Sequence, residues 1–479
     1  MPIARPVPEQ VLTATVPACC SWRSDCGDPV TGLEEDRGES ATIGRWDRST
    51  VPLLASTFCS SAGALALVTA LGKQVFDMTG EEIDLGLLGL AEFAPAALLV
   101  LLTGALADRH DRRRLGAIGS LIEAIGTLLL ILYLSTEPTA VGPIFGVAVV
   151  YGVGRAFAAP AVRALPADVV TPARLPWLVA RWSAVFQLAF VVGPVLGGTL
   201  YAVGPKAPYY AAISLFLASS VLILTVRVPR RVVRELEVAE AAEQSPTARQ
   251  RLHDALEGLR FVRRQPILLG AISLDLFAVL FGGAVALLPA IAEDRLGVGA
   301  IGFGWLRAAV GIGAGVVTLF LARRPITRRV GRTLLIAVAI FGIGTIVLGL
   351  TRSYVVAFAA LLVLAGADAL SVFIRSTLVP LATPRATRGR VLAVETVFIG
   401  ASNELGAFES GVAGQLLGPA AAVALGGVAT IAIAGLWWTL FPALRKVDRF
   451  PQAPEEVGVV IDEDRAGGAA PLAGGRRPA

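Results

Sequence analysis

The chain has 479 residues, 55% of them apolar and only 16% charged, with a net charge of +5 and a mean hydropathy of +0.69. Soluble domains of that total length, about three by the usual prior, need far more charge on their surfaces, and a disordered chain needs far less apolar content. The composition therefore excludes both, and describes a chain solvated by lipid.

Residues 1–48 are rich in Pro, Gly, Glu and Arg with little apolar periodicity, and are predicted to form a disordered cytoplasmic tail. The first 20 residues have no basic start followed by an apolar run, so no cleavable secretory signal is expected. Cys19, Cys20 and Cys26 lie in this tail and Cys59 beyond it, without histidine partners, so neither a metal site nor a cofactor is expected.

Twelve stretches then approach the roughly 20 apolar residues that a spanning helix needs. They cover residues 51–71, 85–107, 115–134, 141–163, 175–203, 208–227, 267–292, 298–322, 333–351, 354–379, 391–417 and 419–442. Their many Gly and Pro residues suit helices packed in a membrane, where small side chains permit close approach and neighbours satisfy broken backbone bonds. None alternates as a barrel strand would.

Residues 49–227 are accordingly predicted to form one six-helix bundle and residues 267–443 a second. Residues 228–266 form a polar linker between them. Within it Ser245-Pro246 supplies a cap and first position for an amphipathic helix with Leu252, Leu256, Leu259 and Val262 on one face. Tethering the halves is its plain role, and contact with a lipid surface is the other. Residues 444–479 are predicted to form a second disordered cytoplasmic tail.

Lys and Arg are retained on the cytoplasmic side of membrane proteins. Here Arg109, Arg112, Arg113 and Arg114 follow span 2, Arg174 follows span 4, Arg323, Arg324, Arg328, Arg329 and Arg332 follow span 8, and Arg385, Arg388 and Arg390 follow span 10. The alternate connections hold only Lys73, Lys206, Arg295 and Arg352. Both termini are thus expected in the cytoplasm, and the net charge reflects topology rather than a nucleic-acid footprint. The halves also echo each other: Arg163 and Thr171-Pro172 near the end of span 4 recur at the same spacing as Arg375 and Thr383-Pro384 near the end of span 10.

Span 2 closes on Gly104-Ala105-Leu106-Ala107-Asp108-Arg109-His110-Asp111-Arg112-Arg113-Arg114. Plain anchoring accounts for the arginines but not for the preceding Gly and Asp. The string resembles the loop 2–3 signature of the major facilitator superfamily, with Asp111 where a Gly is common. That resemblance implies a latch of Gly104, Asp108, Arg109, Arg112 and Arg113, with Asp108 on a helix N-terminus and the arginines paired across the two halves. Span 5 carries Gly193-Pro194-Val195-Leu196-Gly197-Gly198, which is similar to the Gly-Pro antiporter motif of exporters in that superfamily. There it implies a bend that seals the cytoplasmic side of the cavity against proton leak; a packing kink is the plain alternative. Ser273 to Gly283, Gly304-Trp305-Leu306-Arg307-Ala308-Ala309, and Ile399 to Gly406 resemble the branch containing the enterobactin exporter and macrolide-type efflux proteins.

The resemblance covers about residues 50–445 and implies an all-α integral membrane fold: twelve transmembrane helices in two six-helix bundles with pseudo-twofold symmetry. Spans 1, 4, 7 and 10 would line the cavity. A charge within the bilayer is costly and so marks function or a partner. Arg155, Asp275, Asp368, Arg375 and Asn403 are the expected cavity residues. Asp368, Asp275 and Glu404 are the expected proton-coupling groups in that order, with a permanent ion pair, such as Asp368 with Arg155 or Arg375, as the alternative. Glu92, Glu123, Arg307 and Glu409 complete the intramembrane inventory. His110 and His253 sit in polar connections, and no phosphate-binding loop is present, so enzymatic and ATP-driven roles are not expected.

The function expected is export of a small amphipathic molecule, a siderophore or drug-like compound, across a bacterial cytoplasmic membrane by proton antiport, by a protein acting as a monomer with lipid, proton and cargo as its partners. Flipping of a lysophospholipid, uptake or facilitated diffusion of a solute, and a non-transporting scaffold or sensor stay open. The mixed signs of the intramembrane charges leave the cargo's charge undecided.

Overall fold

The computed structural model describes residues 49–171, 173–228, 248–385 and 387–451. Both proposed tails, apart from residues 444–451, and the Ser245-Pro246 cap lie outside this range. The described chain is all-α. Its helices are α1 Thr50–Thr79, α2 Glu82–Arg109, α3 Arg112–Leu134, α4 Gly142–Val169, α5 Leu175–Val203 and α6 Ala207–Thr225. After a linker helix, Ala248–Arg264, come α7 Pro266–Phe281, α8 Ala300–Arg323, α9 Val330–Leu350, α10 Tyr354–Leu381, α11 Arg388–Leu417 and α12 Pro419–Leu440. Among the described residues ten helices are long and apolar enough to cross a membrane, or eleven when the bent pair Leu256–Arg264 and Pro266–Phe281 counts as one span. Proline occupies the first turn of α4, α5, α6, α7 and α12, where its missing N–H costs nothing.

Packing repeats with a period of six helices. In the first half α1 packs on α5 and α6, α3 on α4 and α6, and α2 on α4; in the second α7 packs on α11 and α12, α9 on α10 and α12, and α8 on α10. The halves meet through α5 with α8 and α2 with α11, which are themselves symmetry counterparts. Small residues make these seams possible. Gly119 and Gly154 bring α3 and α4 together, and Gly342 and Gly427 do so for α9 and α12, each position leaving a neighbouring carbonyl where a Cβ would stand.

The ten or eleven spans found among the described residues fall short of the twelve expected, and three further details depart from expectation. Span 7 is not continuous: α7 stops at Phe281, and a short helix Leu288–Ala290 and a π-turn Ile291–Arg295 resume it. The break at Gly282-Gly283 frees the carbonyls of Val279, Leu280 and Phe281 from the helical ladder. Gly406 of α11 and Gly426 of α12 offer their Cα surfaces to these oxygens, which only glycine permits. Lys73, taken for a loop residue, lies inside α1 and is 8% exposed. Residues 446–451, assigned by composition to the tail, dock on the second half instead. The Gly331 N–H donates to Val447 O at 3.0 Å, the Arg329 N–H donates to Asp448 Oδ1 at 3.2 Å, and Phe450 meets Phe373 edge-on.

The linker helix bends 109° from α7 and packs on α7 and α11 of the second half. Val262 joins Leu268, Ile272, Val379 and Val391 in a buried cluster, and Arg390 donates to Glu257 Oε2 at 2.5 Å.

Candidate transport site and gates

The connections define an arginine-rich end and a basic-poor end, and the halves are joined firmly at the second. On one side of the bundle, Lys73 of α1 makes ion pairs with Asp77 and, across the seam, with Glu293, while the Tyr201 hydroxyl donates to Asp77 Oδ2 at 2.8 Å. Opposite, Gln415 of α11 takes the Glu82 N–H at 3.1 Å and donates to Glu81. Phe76, Leu85 and Ala290 form an apolar plug between these polar ties. Along α5 and α8 the backbones touch: a Cβ on Gly304 would lie 2.7 Å from Pro194 O and 3.0 Å from Gly198 Cα. Gln187 donates to Gly311 O further in.

Gly304→Ala is therefore expected to force the basic-poor end apart. Ala290, 0% exposed in the closed arrangement, reports it: a cysteine placed there by Ala290→Cys should react with an impermeant maleimide several-fold faster when Gly304→Ala is added. An unchanged rate would show that α5 and α8 do not set this closure.

The Gly193 to Gly198 motif takes part in this packing. Because α5 starts at the arginine-rich end, residues 193–198 fall in its basic-poor half, where Gly193 and Gly197 meet Ala62, Leu65 and Ala66 of α1 and Gly198 meets α8. In the loop 2–3 string the pairs are local: Arg112 pairs with Asp168 of α4 at 2.7 Å, and Arg113 with Asp111 at 2.7 Å and with Val226 O at 2.9 Å, all inside the first half. These partners are simply the nearest helix ends. The side chains of Gly104, Asp108 and Arg109 lie outside the described residues.

Asp111, the departure from the signature, caps α3 by accepting from the Arg113 N–H at 2.9 Å. The Arg113 guanidinium beside it holds its carboxyl below the usual carboxylate range. A depressed folded value means that its contribution is present above the ordinary range and is lost as pH falls through the folded value. Asp111→Ala is expected to cost about 1 kcal/mol near neutral pH, discounted for partial exposure. Comparing thermal unfolding of the two proteins should show the gap narrowing in acid.

Deep in the second half, Arg375 of α10 pairs with Asp275 of α7 at 2.7 Å, with side chains 4% and 7% exposed. Asp368, midway along α10, makes no hydrogen bond or ion pair among the described residues. Together with Asp275 and Ser371 it lines a narrow pocket of about 10 Å³, bordered by Val338 and Phe341 of α9. Glu395 of α11 is within electrostatic reach of both members of the pair. Of the expected cavity residues, Asp275, Asp368 and Arg375 are thus one cluster.

Arg155 and Glu404 belong to another. Arg155 of α4 is exposed, yet the charges around it are Glu92 of α2, Glu123 of α3 and Glu404 of α11, so its exposed surface faces space inside the bundle. Gly152 and Gly154 set α4 against the Glu92 backbone and the Glu123 side chain, and Gly89 leaves room for the Glu404 carboxylate. Arg307 of α8 lies beside Gly72 of α1, within electrostatic reach of Glu92. Asn403 is exposed and donates to Ile399 O at 2.9 Å, on the stretch of α11 between its faces toward α2 and toward α7.

A two-half bundle with six-helix packing symmetry, sealed at one end around buried charges, agrees with the match of residues 53–374 to the Major Facilitator Superfamily. The chain belongs to that superfamily. It is a multi-pass integral membrane protein and a carrier rather than an enzyme. It is similar to the multidrug efflux pump Tap of Mycolicibacterium fortuitum, 28% identical over 312 residues that cover 62% of this chain and 72% of Tap. It is similar also to the enterobactin exporter EntS of Escherichia coli O157:H7, 24% identical over 401 residues that cover 84% and 92% of the two chains. In fold it is similar to a bacterial homologue of the human lysosomal transporter Spinster in an inward-facing conformation, with a TM-score of 0.61 and 17% identity over 84% of this chain and 97% of that one.

Sequence reasoning singled out Asp275, Asp368 and Arg375 but not their grouping. It recorded Glu92, Glu123 and Arg307 without a role. Each is a lone charge in an apolar span, which was the available signal; it overlooked Glu395 and Glu293 and placed Lys73 in a connection.

Proposed function

We propose that this carrier exports a small amphipathic molecule, a siderophore or drug-like compound, by proton antiport with alternating access. Its working form is a monomer of twelve spans in two six-helix bundles, with α2 and the broken α7 segment completing the count and both termini in the cytoplasm. The observation that carries the reading is Asp368: a mid-membrane carboxylate with no counter-ion of its own, beside an aspartate already neutralised by arginine. Such a group can load and unload a proton as its access to solvent alternates. The names borne by similar chains, a multidrug efflux pump and an enterobactin exporter, support efflux.

In the orientation set by the arginines, the closed basic-poor end faces outward and the described state is the inward-facing one. Rocking of the halves about the fixed charges then supplies the alternate state, a mode for which this superfamily is itself a standard example. Arg112 and Arg113, bonded within their own half here, are the groups that would re-pair across the halves when the outer end opens, with Gly104, Asp108 and Arg109 as the rest of that latch.

Uptake into inverted membrane vesicles tests the proposal, with catecholate siderophores, macrolides and cationic dyes offered with and without a pH gradient. Accumulation of one class that collapses on adding a protonophore is the expected result. Uptake that ignores the protonophore and follows only the solute's own gradient contradicts it.

A further inference from the structure

The connection between α8 and α9 lacks something that its counterpart between α2 and α3 contains. Asp111 caps α3 from within the first connection, and Arg113 beside it donates to Val226 O at the exit of α6. The second connection holds Arg323, Arg324, Arg328, Arg329 and Arg332 without a carboxylate, and no acidic residue occurs between Asp294 and Asp368. The start of α9 is capped all the same, from the exit of α12, the packing counterpart of α6. The Arg329 N–H donates to Asp448 Oδ1 at 3.2 Å, the Val330 N–H to Asp448 O at 3.3 Å and the Gly331 N–H to Val447 O at 3.0 Å. Donors that a helix start leaves without partners are thus taken up by two residues of the C-terminal segment.

The fit is specific on both sides. Arg329 holds a left-handed φ of 56°, which a residue other than glycine rarely keeps unless its surroundings fix it. A Cβ on Gly331 would overlap Leu444 O, so only glycine lets the exit of α12 come this close. Val447 and Phe450 pack against a buried apolar cluster that includes Val330 of α9, Leu378 of α10 and Leu444. Ala278 and Val338, which line the Asp368 pocket, belong to the same cluster. Val330 opens α9 at the arginine-rich end, and Val338 lies about 12 Å further along it. One apolar body therefore runs from the pocket to that end, with Val447 and Phe450 against it.

We propose that residues 447–450 are a strap that seals the Asp368 pocket from the cytoplasm: Asp448 gives α9 the capping carboxylate its own connection lacks, and Val447 and Phe450 complete the apolar floor beneath the pocket. A coupling carboxylate must exchange its proton only where access alternates. A standing path to it along the second half would let protons cross without cargo. Because the strap is bonded to α9 and packs on α10, both in the second half, it travels with that half and stays shut as the two rock. Its consequence for coupling rests on the export reading, but the seal itself is tested without transport.

Ser371, 4% exposed beside Asp368, reports the seal. With the four native cysteines replaced by serine, full-length Ser371→Cys protein in nanodiscs is treated with a small water-soluble methanethiosulfonate. Adding Asp448→Ala and Phe450→Ala together should raise the labelling rate several-fold, and Phe450→Ala alone, which leaves the hydrogen bonds to α9 in place, should give part of that rise. Arg449→Ala, at an exposed position of the same segment, should leave the rate unchanged. Proteoliposomes given a pH gradient and no cargo should lose it several-fold faster with the double variant, and adding Asp368→Asn should restore the slow rate. Labelling unchanged by the double variant in folded protein, or raised as much by Arg449→Ala, would overturn the proposal. Faster labelling without a proton leak would keep the strap and count against Asp368 as the coupling group, which separates failure of the export reading from failure of the seal.

Discussion

Asp368→Asn is expected to reduce proton-driven efflux to the level of vesicles lacking the protein, with an unchanged yield of folded protein in the membrane. Asp368 makes no hydrogen bond or ion pair among the described residues, so the amide removes no structural tie; it removes only the ability to change charge. Because Asn resembles the protonated carboxyl in shape, the halves should still rock. Exchange of labelled for unlabelled cargo across the membrane, which needs no net proton movement, should therefore persist while uphill accumulation disappears. A variant that accumulates cargo normally would remove Asp368 from coupling. Loss of exchange as well would instead make it a group required for movement or binding.

Asp275→Asn should behave in the opposite way, damaging the protein before it damages coupling. Arg375 is 3% exposed, its Nε already has no partner, and its carboxylate at 2.7 Å is Asp275. Removing one member of a buried ion pair strands the other and costs about 3–5 kcal/mol. Asp368 and Glu395 are near enough to draw the guanidinium toward them, which would soften the cost and also occupy the coupling carboxylate. Asp275→Asn with Arg375→Gln removes both charges together. That double variant should melt closer to wild type than Asp275→Asn alone. If the single and double variants melt alike, the pair's worth lies in its hydrogen bonds and not in its charge balance.

Much of the architecture was legible because a bilayer imposes length and polarity on each span. The positions of ten spans, or eleven, and the separation of arginine-rich from basic-poor connections follow from those two constraints. The interruption of α7 was not legible. Residues 267–292 are apolar apart from Ser273 and Asp275, and a Gly-Gly pair is tolerated in membrane helices; the break shows only in the fold, where Gly406 and Gly426, more than a hundred residues away in sequence, lie against the freed carbonyls. The Gly193 to Gly198 motif shows a related limit. Its spacing announces close packing, but only the direction of α5 shows which end of the bundle it closes.

Charge partners were the least legible part. Arg375 lies seven residues from Asp368 on one helix, which made that pairing attractive, yet it bonds Asp275 on α7. Lone charges in different spans carry no information in one dimension about which will meet. Glu404 illustrates the consequence: read as a coupling group, it stands against Gly89 of α2 and close to Arg155, in the acidic cluster at the seam.

The central claim, exchange of cargo for protons through Asp368, is tested most directly by watching the protons. Inverted vesicles are acidified inside, a pH-sensitive dye is quenched there, and the cargo found by uptake is then added. The account predicts prompt recovery of fluorescence as protons leave in exchange for cargo, and no recovery with Asp368→Asn. Cargo accumulation with no recovery in wild type, or equal recovery in the variant, would contradict it.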